Sequence, residues 1–262
     1  MFSEKCSLNA LKKMVDVAEE HQVRMPVARD FMAKRLVKLT PDWEVFRAID
    51  HILNQRISGV PVVDQENKFL GVFSEKTAMR VLMAALHDSI PGTCIEAFLN
   101  LDRNRIIDPE SSLSEVANKF QETPYRRLPV LKNGQLIGQI SRRDVLRAEL
   151  KVSSILTGRL KSEQETVGLS QALKNQPVKD FQDREALTIN PRTDLFTIAQ
   201  MFLNSTYRRL PVLDDHRRLA GQISRRDLLM AASRMMKPDQ EKNKAKTLYL
   251  SQLSSEMPSS IQ

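Results

Sequence analysis

Cysteine is scarce in this chain: Cys6 and Cys94 are its two thiols, far apart and without metal-ligand partners nearby. That excludes a disulfide framework or a zinc site and points to a reducing, cytoplasmic setting. Glycine is also sparse, at eight residues, with no Walker-type Gly-Lys-Ser/Thr loop and no nucleophile elbow. An enzyme is therefore not expected, and neither is a catalytic metal or cofactor. Long apolar runs are missing too. The longest, Val81–Leu86, is far below the roughly 20 residues that cross a bilayer. The start, Met1–Cys6, lacks the apolar core of a signal peptide, so a soluble protein with no membrane partner is expected. Aromatics are few: ten Phe, three Tyr and one Trp, with no basic stripe interleaved among them. The net charge of +8 is thus an unspecific signal for nucleic acid, which is not expected as a partner.

Repetition is what the chain has in abundance. Tyr-Arg-Arg-Leu-Pro-Val-Leu occurs at 125–131 and again at 207–213, and Gly-Gln-Ile-Ser-Arg-Arg-Asp follows at 138–144 and 221–227. Repeated sequence means repeated structure. Ahead of these words, Ile107-Asp108-Pro109 matches Ile189-Asn190-Pro191, and the quartet Leu113, Val116, Ala117, Phe120 matches Leu195, Ile198, Ala199, Phe202. A fainter third copy comes first: Thr40-Pro41, the quartet Val45, Ala48, Ile49, Ile52, then Gly59–Val63 and Gly71–Ser74.

Each quartet falls at i, i+3, i+4 and i+7, one face of a helix. Ser112 to Glu115 forms a capping box ahead of the second, and Asp42 and Asp194 are candidate caps for the other two. A buried strand follows, then a turn, with Asn133-Gly134 favouring a tight hairpin and Asp214–Arg218 one residue longer. A second strand ends at Gly-Gln-Ile, and its Ser opens another helix, from Arg142 to about Leu150 in the second copy. The order strand, helix, strand, strand, helix spans roughly 55–60 residues, an α/β (α+β) unit of small sheets packed against helices. So small a unit buries too little apolar surface alone, and pairing between units is expected. Outside the copies, 1–27 holds an amphipathic helix over 7–21 capped by Ser7. Residues 151–177 form a partly helical connector, and 236–262 a polar tail expected to be mobile.

Leu-Pro-Val, a turn, Gly-x-Ile and Ser-Arg-Arg-Asp at a helix start together resemble the cystathionine-β-synthase (CBS) domain family. The resemblance covers 28–87, 95–150 and 178–235, with the first copy degenerate. It implies a regulatory module whose units pair through their sheets, with a cleft for an adenosine-containing ligand: AMP, ADP, ATP, NAD or S-adenosylmethionine. In the family the Asp of Ser-x-x-Asp contacts ribose, which carries over to Asp144 and Asp227 with Ser141 and Ser224 beside them. The chemistry suits the role, because a carboxylate can accept from both ribose hydroxyls. Helix-start N–H groups with Arg142, Arg143 or Arg225 favour phosphate. The turn residues Asp108 and Asn190 usually lie near the nucleotide, and Arg126, Arg127, Arg208 and Arg209 are candidate phosphate contacts. The same Ser and Asp would also cap a helix with no ligand at all. The first copy keeps Thr40, but has Thr77 in place of Asp and Ser58-Gly59 in place of Arg-Arg, so its site is expected to be weak or empty.

The leading expectation is a non-catalytic sensor that binds an adenine nucleotide between paired repeats and signals to a separate, unidentified protein partner. A ligand-free interaction scaffold is the alternative. The first and second copies are expected to pair as a tandem. The third is then left to form a two-fold homodimer with another chain, unless it covers the tandem instead.

Overall fold

The computed structural model describes residues 15–20, 22–85, 93–99, 101–159, 177–180, 182–183 and 185–236. Three units follow one another, each a helix, an antiparallel hairpin and a second helix. The first holds α2 (Val45–Asn54), β1 (Gly59–Val63), β2 (Phe69–Ser74) and α3 (Glu75–Ala85), preceded by the short α1 (Ala28–Phe31). The second holds α4 (Leu113–Glu122), β3 (Arg127–Lys132), β4 (Gln135–Ser141) and α5 (Arg142–Arg159). The third holds α6 (Leu195–Asn204), β5 (Arg209–Leu213), β6 (Leu219–Ser224) and α7 (Arg225–Met236).

The sheets share one register. In each, the pairing shifts by a residue at the same place, between Val62 and Val63, Val130 and Leu131, Val212 and Leu213. The expected first strand is reduced to a single residue, Leu39, Ile107 or Ile189, in a parallel bridge to Val62, Val130 or Val212. That residue donates to the carbonyl of Pro61, Pro129 or Pro211, at 3.0–3.1 Å. The prolines, which have no N–H to give, thus serve as acceptors and are structural.

Local signals explain the helix and turn boundaries. Ser112 and Glu115 cap α4 reciprocally, at 3.2 and 2.7 Å, and Asp194 caps α6 through Thr197 N–H at 2.9 Å. Asp42 does not cap α2. Glu44 does, accepting from Phe46 and Arg47 N–H at 2.9 and 2.7 Å, because the helix starts at Val45 and Asp42, held by the Thr40 hydroxyl, stands two residues too early. Asn133 and Gly134 both have positive φ, 52° and 79°, as a two-residue hairpin turn requires. Helix α5 runs past Leu150 to Arg159, taking nine residues of the expected connector. Of the expected 7–21 helix, 15–20 are helical and 7–14 lie outside the described residues, as do 160–176 and 237–262.

The units meet through two different surfaces. The first and second pair by their sheets: Val63, Phe69, Val72 and Leu136 form one buried cluster, with Leu36, Ile106 and Leu131 around it. The hairpin ends are joined directly, Phe69 N–H donating to Gly134 C=O at 3.0 Å and Leu136 N–H to Asn67 C=O at 3.1 Å. The third unit instead lays α6 and α7 against α3 of the first, and one core runs through both, from Leu39 and Ile49 to Phe202 and Leu229. It covers the first unit's helices and leaves its own sheet uncovered: Leu219 is 72% exposed. Residues 28–33, counted with the first copy in sequence, pack on the second. Ala28 joins its core and Ala33 bridges Gln139.

Candidate functional site

The Ser-x-x-Asp turns form as the spacing requires. Ser141 N–H and Oγ–H both donate to Asp144 Oδ2, at 2.8 and 2.6 Å, and Ser224 does the same with Asp227 at the same distances. One carboxylate oxygen is thereby fixed at each helix start, and among the described residues no hydrogen bond reaches Oδ1. In the first unit Ser74 Oγ and Thr77 Oγ1 lie 3.0 Å apart, and Thr77 is buried at 5% exposure. Its hydroxyl is used within the turn.

Where the three units converge lies a cavity of about 750 Å³, lined by the α5 start (Ser141–Asp144), both arginine pairs, and Ser224 with Arg225. Of the predicted ligand residues it therefore gathers Ser141, Arg142, Asp144, Arg126, Arg127, Arg208, Arg209, Ser224 and Arg225. Four others are not on its wall. Asp227 is exposed, Asp108 turns back to accept from Glu110 N–H at 2.8 Å, and Asn190 contacts Arg192 and Asp215. Thr40 is engaged with Asp42. The Asp144 side has a second wall within the chain, from Arg35–Val37 and Ser58–Val60 of the first unit.

Arg142 and Arg225 carry a task beyond any ligand. Each guanidinium crosses to the end of its unit's first helix, Arg142 donating to Phe120 and Thr123 carbonyls and Arg225 to Phe202 and Ser205, the latter two at 3.0 and 3.1 Å. A cation on the last carbonyls of a helix is favourable and ties α4 to α5 and α6 to α7. The tyrosines of the repeated word are likewise structural. Tyr125 donates to Asp102 and Tyr207 to Asp183, the second at 2.8 Å, pinning the chain that precedes each unit.

The cavity's electrostatics are one-sided. Burial lowers the Arg208 pKa to about 10, and the neighbouring Arg126, Arg225 and Arg127 cations push the same way. Arg127 and Arg225 are lowered as well, chiefly by burial. Arg35, Arg56, Arg226 and the carboxylate Glu75 on the same wall were not foreseen. Glu75 could have been, because it stands at the aligned position of Arg142 and Arg225. Among the described residues there is no group of three His, Cys, Asp or Glu that could hold a metal, and no helix long and apolar enough to cross a membrane.

The family model of the CBS domain matches 28–84, 102–151 and 178–234. MJ1225 of Methanocaldococcus jannaschii, described as an uncharacterized protein, is 23% identical over 222 residues, covering 81% of this chain and 74% of its own. The chloroplastic CBS domain-containing protein CBSX1 of Arabidopsis thaliana is 26% identical over 156 residues, 47% of this chain and 64% of its own. Among solved structures, CBSX2 in complex with AMP is 27% identical with a TM-score of 0.43, spanning 49% of this chain and 98% of that one. With three matched units covering well over half its length, the chain belongs to the CBS domain family.

Proposed function

We propose that the protein is a ligand-responsive regulatory protein that binds an adenine nucleotide beside Ser141 and Asp144, with the phosphate end toward the arginine cavity. The observation that carries this is the Ser141–Asp144 helix start opening onto a cavity walled by arginines of three units. Asp144 Oδ1 can accept from ribose, while α5 N–H groups and Arg126, Arg127 and Arg208 suit phosphate. Because the walls belong to different units, a ligand there prefers one relative placement of them, which is the means of signalling to a partner protein. The arginines enclose a cavity rather than a stripe, which favours a small anion over nucleic acid. No catalytic role is proposed for any residue.

The Asp227 site is only half built, because the sheet that would supply its other wall is uncovered. That uncovered sheet is the surface for a homodimer through the third unit.

A thermal-shift panel of AMP, ADP, ATP, NAD and S-adenosylmethionine tests the reading, since a ligand that binds only the folded state raises the melting point. At least one should raise it in the wild type and not in Asp144→Ala. A flat response to all five returns the protein to the ligand-free scaffold.

A further inference from the structure

Eleven arginines and two carboxylates line the central cavity, and one of the carboxylates, Asp144, is already hydrogen-bonded to Ser141. That leaves Glu75. It belongs to the degenerate unit and occupies the helix-start position where the other units have Arg142 and Arg225. Arg208, Arg225, Arg126 and Arg226 act on it electrostatically from the second and third units. Even so, the four ion pairs among the described residues, Arg24–Asp30, Arg29–Glu110, Arg192–Asp215 and Arg218–Asp214, all lie elsewhere. Glu75 is therefore surrounded by guanidinium groups but bridged to none. Burial pushes its carboxyl upward, against the pull of those cations.

The arginines are in the mirror situation. Some are spent on backbone carbonyls: Arg142 and Arg225 on their own first helices, Arg127 on Gly59 at 3.4 Å, Arg226 on Leu53. Among the described residues Arg126 and Arg208 close no ion pair with a carboxylate; Glu75 acts on Arg208 only through space, and the two arginines face each other's charge, which is unfavourable where water is partly excluded. Guanidinium groups converging from three sides match a chain of phosphates, each of which can be held in bidentate fashion. A volume of about 750 Å³ is within the usual range of ligand clefts.

We propose that the cavity holds a polyphosphate chain shared by arginines of all three units, and that Glu75 is the built-in counter-anion that this chain displaces. This deepens the nucleotide reading and rests on its placement of the phosphate end. It also gives the site a charge threshold: a single phosphate gains little over the resident carboxylate, whereas three linked phosphates outcompete it. Ligands with longer phosphate chains are therefore preferred.

Isothermal titration of the full chain with inorganic tripolyphosphate, orthophosphate and AMP tests this without relying on adenosine. Tripolyphosphate should bind at least about tenfold more tightly than orthophosphate, and Glu75→Gln should tighten it by a further factor of about ten. Arg208→Gln should weaken tripolyphosphate while raising the melting temperature of the ligand-free protein, an effect opposite to loss of a merely structural arginine. Equal binding of tripolyphosphate and orthophosphate, or no change in Glu75→Gln, overturns the proposal. If AMP binds through Asp144 while tripolyphosphate does not bind, this inference fails and the nucleotide reading stands. If tripolyphosphate behaves as described and no adenosine ligand binds, the inference stands and the nucleotide reading fails.

Discussion

The second and third units are written in nearly the same words, yet they bury opposite faces. On the sheet, Leu136 of the second is 4% exposed and its counterpart Leu219 of the third is 72% exposed. On the second helix the order reverses: Leu146 is 58% exposed and its counterpart Leu229 is fully buried. A CBS unit has two pairing surfaces, and here the first unit uses both, its sheet on the second and its helices on the third. Local sequence sets the shape of a unit, while its place in the chain decides which surface is covered.

A charge placed on the helix face should separate the two units most strongly. Leu229→Asp, which buries a carboxylate in the shared core of the first and third units, is expected to cost more than about 4 kcal/mol, against less than about 1 kcal/mol for Leu146→Asp. Urea unfolding of the two variants compares them directly. Similar costs would mean that the helix face of the second unit is covered as well.

On the sheet face the ranking should invert. Leu136→Ala is expected to lose about 2–4 kcal/mol and Leu219→Ala less than about 0.5 kcal/mol in a monomer. If the third sheet forms the homodimer, light scattering of Leu219→Asp shows loss of the dimer at a concentration where the wild type keeps it.

The smallest contrast lies in two glycines of the same word. A Cβ on Gly138 would run into Met32 Sδ and come 3.2 Å from the Ala33 carbonyl, because residues 27–33 cross β4. At Gly221 nothing lies within 4 Å. Gly138→Ala should therefore cost about 1–3 kcal/mol by overpacking. Gly221→Ala should be close to neutral, as thermal melts of both would show.

Much of one unit was legible in the sequence. The quartets, the Ser112–Glu115 box, Asn133-Gly134 and the Ser-x-x-Asp turns are set by interactions within a few residues, and each forms as its spacing predicts. Asp42 failed as a cap because Glu44, two residues on, competes for the same N–H groups and its carboxylate reaches two of them. Long-range choices left no local trace. Nothing near residues 27–33 signals that they pack on the second unit, and nothing in Leu219 or Leu146 says which would be covered. The site was legible in part for the same reason. Ser141, Asp144 and the arginine pairs carry a repeated word, whereas Arg35, Arg56 and Glu75 join the cavity only through the docking of units. Glu75 stood in the alignment as a sign reversal, and its meaning depends on the arginines that the other two units bring to it.

Two equal words make unequal sites: Asp144 faces a cavity with a second wall in the chain, and Asp227 stands exposed with none. The stoichiometry of nucleotide binding, read by isothermal titration, distinguishes the two sites. At concentrations where the chain is monomeric, one site per chain, lost in Asp144→Ala and kept in Asp227→Ala, is the predicted result. Two equivalent sites per chain, or binding lost in Asp227→Ala and kept in Asp144→Ala, would contradict it.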